Sequence, residues 1–237
     1  MKISLNTLKY YVDINVPVEE LCDRMVMAGF EVEDIEKQGD EIKNVVAAKI
    51  LKITPHENSD HLQICSMDTG AGEPVQIVTG AQNIHEGDYV PAALDNSYLP
   101  GGVHIVSGKL RGVESNGMLC SGKELGLTES DYEGAEVNGI LILKGEPAPG
   151  TDIRKVIGLD DYIIDFKITA NRPDCNCFLG VAKEISVVLG TKFTAPKPEY
   201  KTAGGNINDC ISIEVKNFDL CPRYIGRVVK NLRIKES

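Results

Sequence analysis

The residues most able to do chemistry stand together in one stretch, Lys109–Ser121, which reads KLRGVESNGMLCS. Lys109 and Arg111 place two positive charges before a turn at Gly112. Glu114, Ser115 and Asn116 form a short polar set ahead of Gly117, and an apolar strand ends at Ser121. Two glycines five residues apart allow a tight return of the backbone. Ser115 and Asn116 can hydrogen-bond within that loop or to a ligand, and the whole stretch also reads as a bulged hairpin of a small barrel. A second polar cluster is HENSDHL, His56–Leu62. With Cys65, its two histidines raise a metal site, but the spacing matches no tetrahedral pattern and no fourth ligand is evident. A loop in which Asn58, Ser59 and Asp60 bond to their own backbone is the simpler reading. No GxxxxGK[ST], GxGxxG or GxSxG motif is present, so no phosphate cradle or nucleophile elbow is expected. Asp160, Asp161 and Asp165 read as a solvated face and strand edge. Cys175 and Cys177 flank Asn176 at a helix start, where a thiol pKa can fall; a structural role is the expectation. No catalytic residue and no metal ligand are assigned.

The elements that must carry these groups change character along the chain. Leu5, Leu8 and Val12 suggest a short helix entered near Ser4 or Asn6. A clearer helix follows, with Pro17 at its first position, Glu19 and Glu20 at the positive end of the dipole, and an apolar face of Val18, Leu21, Cys22, Met25 and Ala28. Gly29 suits its C-terminal cap, and Phe30–Ile35 reads as a strand. From Val45 to Leu143 short strands take over: VVAAKILKI, LQICSMD, PVQIVTG, DYVPAAL, VHIVSGKLRG, GMLCS and GILIL. Gly and Pro turns separate them at the spacing of a small barrel, and a five-stranded oligonucleotide/oligosaccharide-binding (OB) barrel fits this size. Past Gly150 come the strand YIIDFKIT, the turn ANRPD and a helix with Phe178, Ala182, Ile185 and Leu189 on one face, Asp174 as its cap and Gly190 at its end.

Each flanking piece is about forty residues, too short to bury a core alone. The fold class expected is therefore α+β: an OB barrel at 41–150 inserted into a small base formed by 1–40 and 151–193. Residues 194–205 (TAPKPEYKTAGG) read as a linker, and 206–237, with ISIEV and YIGRVVKNL as strands and five basic residues from Arg223 to Lys235, as the unfinished start of another domain.

Composition sets limits on partners. Of 237 residues 42% are hydrophobic, and no 18-residue apolar run exists, so no membrane span is expected. The first residues lack the apolar core and cleavage site of a signal peptide. Seven cysteines without a CxxC pair fit reduced thiols in the cytoplasm better than a disulfide framework. The net charge of -10 argues against loose nucleic-acid binding, DNA included. Between Val45 and Lys144 thirteen acids face six bases: Lys49, Lys52, Lys109, Arg111, Lys123 and Lys144. Any RNA contact must be local, and only Tyr89, Tyr98 and Tyr132 offer aromatic rings; shape or 2′-hydroxyl contacts would have to substitute.

HENSDHLQICSMD, VTGAQNIHEGDYVPAAL, LPGG and KLRGVESNGMLCSGKELGL together resemble the tRNA-binding barrel of several synthetases and tRNA chaperones. The flanks, MKISLNTLKYYVDINVPVEELCDRMVMAGFEVEDIE and ITANRPDCNCFLGVAKEIS, resemble the N-terminal part of the bacterial phenylalanyl-tRNA synthetase beta subunit, and CPRYIGRVVKNLRIKES the opening of its editing domain. The first loop departs from the family, which commonly has Pro-Asn-Ala where this chain has Glu57-Asn58-Ser59. The resemblance implies a heterotetramer of two alpha and two beta subunits that attaches phenylalanine to its tRNA with ATP and Mg2+. It also implies that this chain alone is catalytically silent and takes no cofactor. Matched to the family, Lys109, Arg111, Ser115, Asn116 and Ser121, with Asn58, Asp60 and His61, are candidate tRNA contacts. Ser115 and Asn116 satisfying their own hairpin, and Arg111 pairing with Glu114, are the structural alternatives. Asn171, Arg172, Pro173 and Asp174 form a turn and cap, with Arg172 expected to bridge to a neighbouring domain or subunit; a tRNA contact there is the alternative. An assembly-only module with an RNA-idle barrel, or a free-standing tRNA chaperone, are the other functions open.

Overall fold

A computed structural model describes residues 1–202 and 204–234. They divide into two units, Met1–Ala195 and Pro196–Ser237.

In the first unit, β1 (Lys2–Ser4), β2 (Glu31–Lys37) and β11 (Tyr162–Lys167) form an antiparallel sheet in the order β1-β11-β2. Ile164 lies opposite both Ile3 and Ile35, so strands more than a hundred residues apart share one apolar face. Helices α1 (Leu5–Lys9), α2 (Val18–Met27) and α4 (Phe178–Leu189) supply Leu5, Leu8, Val18, Leu21, Met25, Val181, Ala182 and Ile185 to the same core, around Phe166. Ser4 caps α1 by accepting from the Thr7 N–H at 3.0 Å. Pro17 is the N-cap of α2 rather than its first helical residue, and Ala28 is its C-cap with Gly29 just beyond at φ +94. Gly190 ends α4 in the left-handed conformation, as expected. Phe178, expected on the inner face of α4, is exposed, and Val181 is buried instead.

Two further cores lie under the central strands. The sheet order is β10 (Gly117–Leu119), β6 (Tyr89–Leu99), β3 (Lys43–Pro55), β4 (Gln63–Asp68) and β5 (Val75–Thr79), all antiparallel, with β7 (Val103–Ile105) on the far half of β6. Its edges curl toward each other. The Asn116 N–H, just before β10, donates to Gln76 O on β5 at 2.9 Å. This mostly antiparallel, curled half-barrel is compatible with an OB-type domain.

VHIVSGKLRG is not one strand. It breaks after Ile105, where the Ser107 N–H donates to the Asp95 carboxylate at 2.6 Å, and resumes as β8 (Gly108–Leu110), paired with β9 (Val113–Ser115). GILIL forms no strand. Leu141 N–H donates to Cys120 O at 3.1 Å and Leu143 N–H to Tyr89 O at 2.8 Å, so successive groups reach two different neighbours and no ladder develops. A short helix, α3 (Ile153–Val156), packs Ile153 into the second core.

In the second unit the described residues contain a 3-10 turn at Ile207–Asp209 and no strand. ISIEV and YIGRVVKNL, expected as strands, are irregular. Ile211 and Ile213 side chains come up to Gly226, but this contact of side chains is not accompanied by a ladder, and Ile225, Val229 and Leu232 remain exposed. Lys235, the last of the five basic residues, lies outside the described residues.

Candidate functional site

The expected contact residues divide into those aimed outward and those used by the fold. The β8–β9 hairpin turns through two residues, Arg111 at φ +47 and Gly112 at φ +90, between the paired Leu110 and Val113. Two consecutive positive φ values are the backbone of a type I′ turn, which matches the twist of the strands it joins. The turn lifts Arg111 to the tip, where its Nη1 donates to Asn58 O at 3.3 Å. Hairpin tip and first loop are thereby neighbours, so two parts of the candidate set, far apart in sequence, come together.

His56 holds them there. It is 4% exposed. Its Nε2 faces Leu110 O at 3.2 Å, and its Nδ1 accepts from the Asn58 N–H at 3.0 Å. A carbonyl can only accept and an amide N–H can only donate, so this pair of partners selects the tautomer with the proton on Nε2. The loop closes through His56 N–H to Leu62 O at 3.1 Å, and Ser59 Oγ accepts from the His61 N–H at 3.4 Å. Asn58, Asp60 and His61 are exposed on it. The sequence raises His56 only as a metal ligand; its partner across the fold, Leu110 O, is 54 residues away, and no spacing announces it.

Ser115 is turned inward. It is buried, its Oγ accepts from the Val78 N–H at 3.0 Å, and it donates to Gly117 O at 2.9 Å. It therefore joins β5 to β9 along the edge of the curled sheet. Gln76 reinforces the seam by donating from Nε2 to Glu114 O at 2.7 Å. Gly117 (φ +149) passes so near β6 that a Cβ there would lie 2.3 Å from Ala93 O. Asn116 keeps an exposed side chain while its backbone serves the same seam. Ser121 accepts from the Glu124 N–H at 3.2 Å and donates from both N and Oγ to Glu124 Oε2 at 2.7 Å, a reciprocal capping arrangement. The acid facing the hairpin bases is Glu114, but its partner is Lys109 (3.7 Å) and not Arg111. Lys109 and Arg111 are both exposed.

The NRPD turn is elsewhere, at the sheet shared by the two flanks. Among the described residues the contacts of Arg172 lie within the first unit. Its guanidinium donates to Asp174 at 2.9 and 3.2 Å, forms an ion pair with Glu184 at 2.6 Å and lies over the Phe30 ring at 5.2 Å. Asp174 does not cap α4: the N-cap is Cys177, and no side chain bonds there. The hydrogen bonds from Arg172 hold the Asp174 carboxyl down at about 2. Pro173 opens a 3-10 turn, Pro173–Cys175, and Asn171 is exposed just before it. This turn packs tightly on α4, where a Cβ at Gly180 would lie 1.8 Å from Asp174 O. Asp174, Cys175 and Glu184 do gather their ligand atoms within 4.8 Å. The Arg172 cation already occupies their midst, and burial pushes the Cys175 thiol up to about 11, so these residues do not fit Mg2+, a hard cation that asks for oxygen ligands.

The remaining buried thiols are shifted in the same direction. Burial raises Cys22 and Cys65 to about 11 and Cys120 to about 12. Asp161, read from sequence as part of a solvated face, is buried and caps the start of α1, accepting from Ser4 Oγ at 2.5 Å and from the Asn6 N–H at 2.9 Å.

Against known proteins, residues 45–152 match the family described as "Putative tRNA binding domain". Across its whole length the chain is 49% identical to the phenylalanine–tRNA ligase beta subunit of Clostridium acetobutylicum and 48% identical to that of Clostridium tetani. It is 44% identical to that of Anaeromyxobacter dehalogenans. It spans 29% of the length of each of these relatives. No helix among the described residues is long and apolar enough to cross a membrane.

Proposed function

We propose, for a chain homologous along its whole length to phenylalanine–tRNA ligase beta subunits, that it is the N-terminal, non-catalytic part of such a subunit and contributes a tRNA contact. The observation that carries this reading is the latch between the first loop and the hairpin tip, set within the segment that matches a tRNA-binding family. It presents Lys109, Arg111, Asn116, Asn58, Asp60 and His61 outward. In this reading the OB barrel covers 41–150, the α+β base covers 1–40 and 151–193, a linker runs over 194–205, and 206–237 begins an editing-type domain. The whole enzyme is a cytoplasmic heterotetramer of two alpha and two beta subunits, with the alpha subunit as the protein partner. It charges phenylalanine-accepting tRNA with ATP and Mg2+, which this chain does not itself hold. Ser115 and Ser121, committed to the barrel seam and to Glu124, act through the fold and do not touch RNA.

The test is a titration of the chain with phenylalanine tRNA and with bulk tRNA at about 50 and 200 mM salt. Micromolar binding that weakens with salt and with Lys109→Ala/Arg111→Ala is the expected result. No binding at either salt would overturn it and leave the assembly module. One observation favours that second reading: thirteen acids against six bases in the barrel segment, with Lys109 already paired to Glu114. Similarity of both flanks to the beta subunit weighs against a free-standing tRNA chaperone.

A further inference from the structure

A row of three side chains crosses the outer half of the curled sheet. Lys43 on β3 lies opposite Tyr98 on β6, and Tyr98 lies opposite His104 on β7. Directly opposed residues project from the same face of a sheet. The Tyr98 and His104 rings stack with centroids 4.4 Å apart and planes 9° from parallel. Both are exposed, Tyr98 by 40%. The pair is held in place. Asn96 Oδ1 bonds the His104 Nε2 at 2.7 Å, which fixes the imidazole about its own axis. The hairpin turn that brings the two strands back, Pro100-Gly101-Gly102, uses positive φ at both glycines. Lys43 is exposed and belongs to none of the ion pairs among the described residues. Asp95, the single acid between 95 and 107, is turned to the Ser107 N–H at 2.6 Å.

We propose that the Lys43–Tyr98–His104 row receives one unpaired nucleobase of an RNA on its stacked rings, with Lys43 meeting the adjoining phosphate. The inference rests on the RNA-contact reading above and adds a second, sequence-tolerant contact to it. A platform whose rings are already ordered loses little freedom when a base is laid on it. It also explains how a barrel with net negative charge holds RNA: stacking needs no phosphate attraction, because every base presents a π-face.

The experiment titrates the 237-residue chain with an adenylate hexamer and with bulk tRNA, and compares His104→Ala, Tyr98→Leu and Lys43→Ala with Lys109→Ala/Arg111→Ala. The expected result is a loss of hexamer affinity of about 5- to 100-fold for His104→Ala and for Tyr98→Leu, with the salt slope unchanged. Lys43→Ala should instead reduce the slope by about 0.7. Proton NMR of the unsubstituted chain supplies a readout that no folding defect can imitate: the His104 ring protons move upfield as the hexamer is added. If the hexamer binds, the two ring variants bind equally well and the His104 resonances stay still, the platform is wrong while the RNA-contact reading stands. If neither RNA binds the unsubstituted chain, both fall together.

Discussion

Arg111 holds a backbone conformation that asparagine or glycine adopts more easily, at φ +47. An L side chain in the left-handed region costs about 1–2 kcal/mol, and the single hydrogen bond to Asn58 O at 3.3 Å is long and exposed. Arg111→Asn should therefore leave thermal stability unchanged or raise it by about 2–4 °C, while tRNA affinity falls. A lowered melting temperature would assign Arg111 to the fold instead. His56 predicts the opposite balance. Replacing it by Ala strands the Asn58 N–H and Leu110 O without their partner, which costs about 1–3 kcal/mol. Urea unfolding reads that loss, and amide exchange in 56–62 should quicken with it. At Asp174 the prediction is one of pH. Its carboxyl sits at about 2, below the ordinary 3.8. The pair with Arg172 therefore stabilises the folded chain above pH 4, and that contribution is lost as pH falls through about 2. The gap in melting temperature between the unsubstituted chain and Asp174→Asn should be widest above pH 4 and close toward pH 2. A gap that ignores pH would mean that charge is not the cause.

The elements show where the sequence could be read and where it could not. β3, β4 and β5 were legible because alternate side chains, such as Cys65, Met67 and Ile77, are buried on one face. The helix ending at Gly190 was legible because its stop is local chemistry. GILIL misled because a buried apolar run looks the same whether or not its backbone joins a ladder. ISIEV and YIGRVVKNL misled for a related reason: β-propensity describes a side chain that suits a sheet, and a strand still needs a neighbour. Asp174 misled as a cap because an arginine two residues away competes for the carboxylate. Nor could the sequence distinguish Ser115 from Asn116, adjacent polar residues that alternate in and out. Their difference predicts different outcomes. Ser115→Ala leaves the buried Val78 N–H without its acceptor and should cost about 1–3 kcal/mol in chemical unfolding, whereas Asn116→Ala should fall within about 0.5 kcal/mol. Equal losses would mean that the seam does not depend on the Ser115 hydroxyl.

At the scale of the whole chain the governing quantity is charge. The net value is -10, and the barrel segment's six bases are not all available. Lys144 pairs with Glu133, Lys109 with Glu114, and Lys49 lies over the Tyr89 ring at 5.2 Å. The Lys109–Glu114 pair is exposed and long at 3.7 Å, so a phosphate can displace the carboxylate at little cost. Of the bases that remain, Lys109 and Arg111 are the two on the hairpin, so the hairpin tip itself meets about two phosphates. Each neutralised phosphate lowers the log–log salt slope by about 0.7–0.9, so two give a slope of about -1.4 to -1.8. Raising salt fourfold, from about 50 to 200 mM, should then weaken tRNA binding by about tenfold through the hairpin, and by about threefold more through a phosphate at Lys43. The size of the effect discriminates among the readings. A loss of about a thousandfold would need six or more phosphates, more than the hairpin tip can meet, and would refute a local contact. A slope near zero in a chain that still binds would point to stacking alone. A slope that shrinks by about 1.4–1.8 in Lys109→Ala/Arg111→Ala, leaving only the share of about 0.7 that belongs to Lys43, would place two phosphates on the hairpin, because no other change of charge accompanies that pair of substitutions.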